Sequence, residues 1–112
     1  MATTADVIVE TRRDRALDMD QALESMPGFE AFVDEADALG FTLTAAFPCT
    51  YVTWGTLTFT NREPPERPWN RRPILQARYD GKRWWWALEN YTLEFESAAA
   101  AYVFESLGGW DR

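Results

Sequence analysis

The chain has no histidine, one cysteine (Cys49) and one lysine (Lys82) among 112 residues. Without histidine it lacks the commonest general base and the commonest zinc ligand. Cys49 has no imidazole to activate it, so a Cys–His nucleophile is excluded. A lone cysteine closes no internal bridge and suits a reducing compartment. Long apolar runs are missing as well. The opening "MATTADVIVETRR" holds only Val7 to Val9 in succession, too few for a secretory signal or a membrane span. The expectation is a cytoplasmic protein without a membrane partner, and the Asn90-Tyr91-Thr92 sequon reads as chance.

No glycine-rich phosphate loop, GxSxG or CxxC occurs. Two carboxylate pairs stand out, Asp18 with Asp20 and Glu94 with Glu96. Neither sits where one acid would stay protonated, and the DxD of Asp18 and Asp20 is only a weak magnesium-site signal. Catalysis, cofactors and metal ions are therefore not expected.

The net charge of −7 argues against bulk attraction to nucleic acid or acidic membranes. It is unevenly spread. Residues 1–61 carry three Arg against ten acids, residues 62–83 carry six Arg and Lys82 against three acids, and residues 84–112 carry one Arg against five acids. An acidic body with one basic segment results. Ten arginines to one lysine fits a GC-rich bacterial or phage genome better than any physical requirement.

Residues 1–13 show no period and read as a tail or edge segment, with one domain over 14–112. "DRALDMDQALES" suits a short helix with Leu17, Ala22, Leu23 and Met26 on one side. Phe29, Phe32, Val33, Ala36 and Leu39 make an apolar stripe at helical spacing. Pro27 suits the first turn and Gly40 a left-handed stop, which predicts a helix over about 27–39. Its acids Glu30, Asp34, Glu35 and Asp37 lie mainly off the stripe, as a solvated or partner-facing acidic surface. "FTLTAAF" then alternates, with Phe41, Leu43, Ala45 and Phe47 on one face. "TYVTWGTLTFT" is a second β stretch whose phase breaks at Gly55.

Residues 61–73, "NREPPERPWNRRP", form a loop, because Pro64, Pro65, Pro68 and Pro73 exclude a central strand. Its length suggests either function or a plain connector. It would present Trp69, Arg71 and Arg72 to a partner. Its Pro65-to-Pro68 spacing matches a polyproline ligand pattern only weakly. After a three-stranded meander from Ile74, Ser97 caps a helix of about 98–107 that Gly108-Gly109 end. That helix is apolar nearly all round and is expected to be well buried. The fold class is α+β: a meandering antiparallel sheet of four to five strands, with two main helices packed on one face.

Three consecutive tryptophans, Trp84, Trp85 and Trp86, must alternate across a strand. Two-residue turns at Asp80-Gly81 and Glu89-Asn90 set a register. It pairs Arg78 with Arg83, Gln76 with Trp85, Trp86 with Leu93, and Trp85 with Glu94. Leu75, Ala77, Trp84, Trp86, Leu88, Leu93 and Phe95 then share the inner face. Trp85 is left outside among Gln76, Arg78, Arg83, Glu94 and Glu96. Glu96 would pair with Arg83 and leave Arg78 free. This outer face is either a solvated surface or a recognition patch, tryptophan and arginine being the types that dominate binding energy.

The leading expectation is a small, acidic, non-catalytic protein-binding module, an inhibitor or adaptor acting by surface occlusion. Its expected contacts are Trp85, Arg78, Arg83, Gln76, Glu94, Trp69, Arg71 and Arg72. In size and composition alone the chain is similar to phage-encoded inhibitors of host defence complexes, anti-CRISPR proteins among them. The alternatives are single-stranded nucleic-acid binding by the Arg/Trp face and loop, an enzyme using carboxylates and arginines only, and a homodimer through the exposed sheet face.

Overall fold

The computed structural model describes residues 19–64, 72–89 and 92–106. The expected tail at 1–13, Asp18, and the loop residues Trp69 and Arg71 lie outside them. Among the described residues the order is α1 (residues 19–24), α2 (Phe29–Ala38), β1 (Phe41–Phe47), β2 (Gly55–Asn61), β3 (Ile74–Tyr79), β4 (Trp84–Ala87) and α3 (Ala98–Ser106). The strands form one antiparallel meander, β1-β2-β3-β4. The expected α+β architecture is therefore the observed one.

The core lies between the helices and one sheet face. Leu57, Phe59, Leu75, Ala77, Trp86 and Leu88 point inward from the sheet, and Ala22, Met26, Ala36, Ala98 and Ala101 meet them from the helices. Trp86 is the largest fully buried side chain among the described residues. Burying an indole contributes roughly 4–6 kcal/mol of transfer free energy, an upper bound. Phe32 of α2 lies against Trp84 (4.6 Å between centroids) and Trp86 (5.1 Å), and the Trp84 indole N–H donates to Pro27 O at 2.9 Å.

Helix α2 ends where expected. Gly40 takes φ 90°, a conformation that costs a Cβ-bearing residue more. Arg62 supports the same end, donating to Asp37 O and Asp37 Oδ1 (2.9 and 2.8 Å). At the start of α3, Ser97 Oγ accepts the Ala100 N–H (3.1 Å) and Glu35 Oε2 accepts the Ala98 N–H (2.5 Å). One acid of the α2 surface is thus a helix cap. Helix α3 is less buried than its composition suggests, since small Ala98 and Ala101 face the sheet while Val103 is well exposed.

Several sequence expectations need correction. The turn after β3 lies one residue later than expected: the Asp80 N–H donates to Arg83 O at 3.3 Å, with Gly81 and Lys82 between them. A two-residue turn of the expected type needs positive φ at both central positions, and Gly81 has it (φ 99°) while Asp80 does not. Instead the Asp80 carboxylate accepts the N–H groups of Lys82 and Arg83, each at 2.9 Å, and the loop closes at Arg83. Tyr79 therefore pairs with Trp84, Arg78 with Trp85 and Gln76 with Ala87. The shift is two residues, so every side chain keeps its face. The following segment also shifts by two, joining through a bridge of Trp86 with Phe95, and among the described residues it forms no fifth strand.

Strand β1 holds a bulge between Leu43 and Ala45. Its extra residue flips the later parity, so Ala46 packs inward and Phe47 turns outward, against the expected face. The second β stretch begins only at Gly55, leaving 50–54 as a connection.

Candidate functional site

On the sheet face away from the helices, pairing aligns Phe47, Thr56, Arg78 and Trp85 across the four strands. Trp85 is on the expected face, but it is not in water. It is only 7% exposed. Trp54 packs edge-on against it, with centroids 5.1 Å apart, and the Arg83 guanidinium lies 4.6 Å from its ring centre. Being on the outer face thus did not make it solvent-exposed. Arginine and a second indole cover it, each burying its own apolar surface in doing so.

The polar neighbours are engaged with one another. Arg83 pairs with Glu94 at 2.6 Å, not with Glu96 as expected. That pair, before all else, raises the affinity of the Arg83 guanidinium for its proton. Arg78 is not free, since it donates to Gln76 Oε1 (2.9 Å) and Leu88 O (3.3 Å). Asp80 ionises more easily than an ordinary aspartate, because the Arg83 and Lys82 backbone N–H groups bond its charged form.

Of the expected contacts, Trp85, Arg78, Arg83, Gln76 and Glu94 come together. Arg72 does not join them. It precedes β3, whereas Arg83 follows that strand's other end, and it donates to Asn61 O and Arg62 O (3.3 and 3.2 Å). Trp69 and Arg71 lie outside the described residues.

The exposed groups are ones the sequence reading passed over. Phe47 is 63%, Val52 73% and Trp54 59% exposed, and Tyr51 is fully exposed. All lie in or beside the β1–β2 connection. That connection is internally bonded. Thr50 Oγ1 accepts the Val52 and Thr53 N–H groups (3.2 and 3.0 Å) and meets Thr53 Oγ1 at 2.7 Å, while the Thr50 N–H donates to Thr53 O at 2.9 Å. The Cys49 N–H is held by Ser25 Oγ at 3.0 Å. A small hydroxyl-centred turn therefore projects Tyr51 and Val52 outward. The available signal was the phase break at Gly55. Read as a strand start, it leaves Thr50-Tyr51-Val52-Thr53-Trp54 as a loop.

Among the described residues no three or more acidic or cysteine side chains gather as a metal set, and no helix is long and apolar enough to cross a membrane. No protein-family model, curated protein or solved structure matches the chain.

Proposed function

We propose that this chain is a non-catalytic protein-binding module that works by covering part of a partner's surface, as an inhibitor or adaptor. The narrower form of the reading is a phage-type, anti-CRISPR-like inhibitor of a host defence complex, and it rests on size and acidic composition alone. The observation that carries the general reading is the internally hydrogen-bonded loop that holds Tyr51, Val52 and Trp54 in solvent beside Phe47. Leaving such side chains wet forgoes stabilisation the fold would otherwise gain. Tyrosine and tryptophan bring large contact area at low cost in rotamer entropy. A bonded turn loses little further freedom on docking.

Nucleic-acid binding is the weaker reading. Arg62, Arg72, Arg78 and Arg83 already bond Asp37, backbone carbonyls, Gln76 and Glu94. The test is an affinity capture from the native host with quantitative mass spectrometry. Wild-type bait is compared with a Tyr51→Ser, Trp54→Ser variant whose circular dichroism matches wild type. The expected result is a partner protein depleted at least about tenfold on the variant, which corresponds to ~1.4 kcal/mol of binding free energy. Equal recovery by both baits would remove the loop from the interface.

A further inference from the structure

Behind Phe47 lies a groove that the loop reading does not use. It holds about 700 Å³, within the range of sites that enclose a ligand. Met19, Gln21 and Ala22 of α1 form one wall and residues 44–48 form the other. None of these residues is charged.

The backbone of β1 shapes this second wall. Asn61 gives its N–H to Pro73 O, on the β3 side, and Arg62 gives its N–H to Gly40 O, on the β1 side. Alternation along β2 then directs Thr56 and Thr58 toward β1, where they pair with Phe47 and Ala45. Ala46 lies between those two. Its own N–H and C=O therefore face away from β2, toward the groove, and among the described residues no backbone group takes them. The bulge at residue 44 and Pro48 bound this open stretch, since neither continues a regular ladder.

From this geometry we infer that the groove takes an extended segment of the partner protein, added antiparallel or parallel to β1 and bonded to Ala46. The inference rests on the docking reading above and deepens it, because Phe47 belongs both to the groove wall and to the exposed aromatic lobe. Main-chain bonds give such strand addition its affinity, and pockets for alternate side chains give it selectivity. The segment's alternate residues face Met19 and the inward side of Ala46, so they are uncharged and apolar. Those between them lie over the outer sheet face and tolerate polar groups.

The test uses the full-length protein and a displayed library of random peptides. The expected winners alternate apolar and polar residues. The best one, resynthesised with a single N-methyl group at each position in turn, loses about tenfold or more in affinity at a site that bonds Ala46 and keeps it at neighbouring sites. Met19→Glu abolishes its binding, and Val103→Ser, at an exposed position of α3 outside the groove and the loop, leaves it unchanged. Three results would overturn the inference. N-methylation tolerated throughout excludes strand addition. Loss on Tyr51→Ser without loss on Met19→Glu moves the contact to the loop and leaves the docking reading intact. A dimer in light scattering that Met19→Glu breaks, or peptide binding only after removal of residues 1–18, makes the occupant this chain itself. The N-methyl scan needs no substitution in the protein, so it stands even where Met19→Glu fails to fold.

Discussion

Trp85 shows how a residue can face the expected way and still serve a different purpose. Pleat alternation places it opposite the helices, and Trp54 with Arg83 then covers it. Its truncation should therefore act on the fold. Trp85→Ala is expected to cost about 3–5 kcal/mol in urea unfolding, as for a large buried aromatic. Trp54→Ala should cost about 1 kcal/mol, the worth of an aromatic pair, while weakening partner capture. A Trp85→Ala protein with an unchanged unfolding midpoint would contradict the enclosure. Asp80 makes a second prediction at this scale. Its carboxyl is held below the usual carboxylate range by the Arg83 and Lys82 N–H groups. The unfolded chain thus binds a proton that the folded chain refuses, and stability rises with pH through that window. The contribution is fully present above about pH 4 and disappears as pH falls through the lowered folded value. Asp80→Ala should destabilise at neutral pH and show a flatter acid limb than wild type, read as urea midpoints over a pH series.

At the scale of elements, the informative pieces are the connections. Helix α2 and the cap of α3 were readable because their signals are local: a 3.6-residue apolar stripe, a glycine stop and a serine N-cap. The inner strand residues were readable because a register error of two preserves faces. The position of the turn after β3 was not readable, since Asp80 could serve either as a positive-φ turn residue or as a carboxylate cap, and only the second occurs. The β1 bulge was hidden as well, because "FTLTAAF" satisfies alternation on paper. The outward turn of Phe47 follows from that one inserted residue. The 50–54 loop is where this matters for binding. Thr50→Val keeps the side-chain shape but removes the acceptor for two N–H groups and the hydroxyl partner of Thr53 Oγ1. The expected outcome is weaker partner binding by calorimetry with a stability change of about 1 kcal/mol or less. A large drop in stability with unchanged affinity would make the turn a folding element only.

For the molecule as a whole, the helices crowd one sheet face and leave the other to arginines and a hydroxyl-rich strand, Thr56, Thr58 and Thr60. The basic segment seen in the sequence does not act as a free cationic track, because its described arginines are tied to neighbours. Fluorescence anisotropy with a labelled single-stranded oligonucleotide should therefore show no binding at low salt, consistent with the net charge of −7. Tight binding that weakens steeply with added salt would instead favour the nucleic-acid reading. Charge counting along the chain could not reveal this, since it records where arginines occur and not what each one holds.

The edge-to-face contact of Trp54 with Trp85 places two indole chromophores close enough for their excited states to mix. One belongs to a strand and the other to the loop that carries Tyr51. The near-ultraviolet dichroism of this pair is thus a built-in, label-free gauge of loop position, and any occupant that shifts the loop should announce itself as a change in that band.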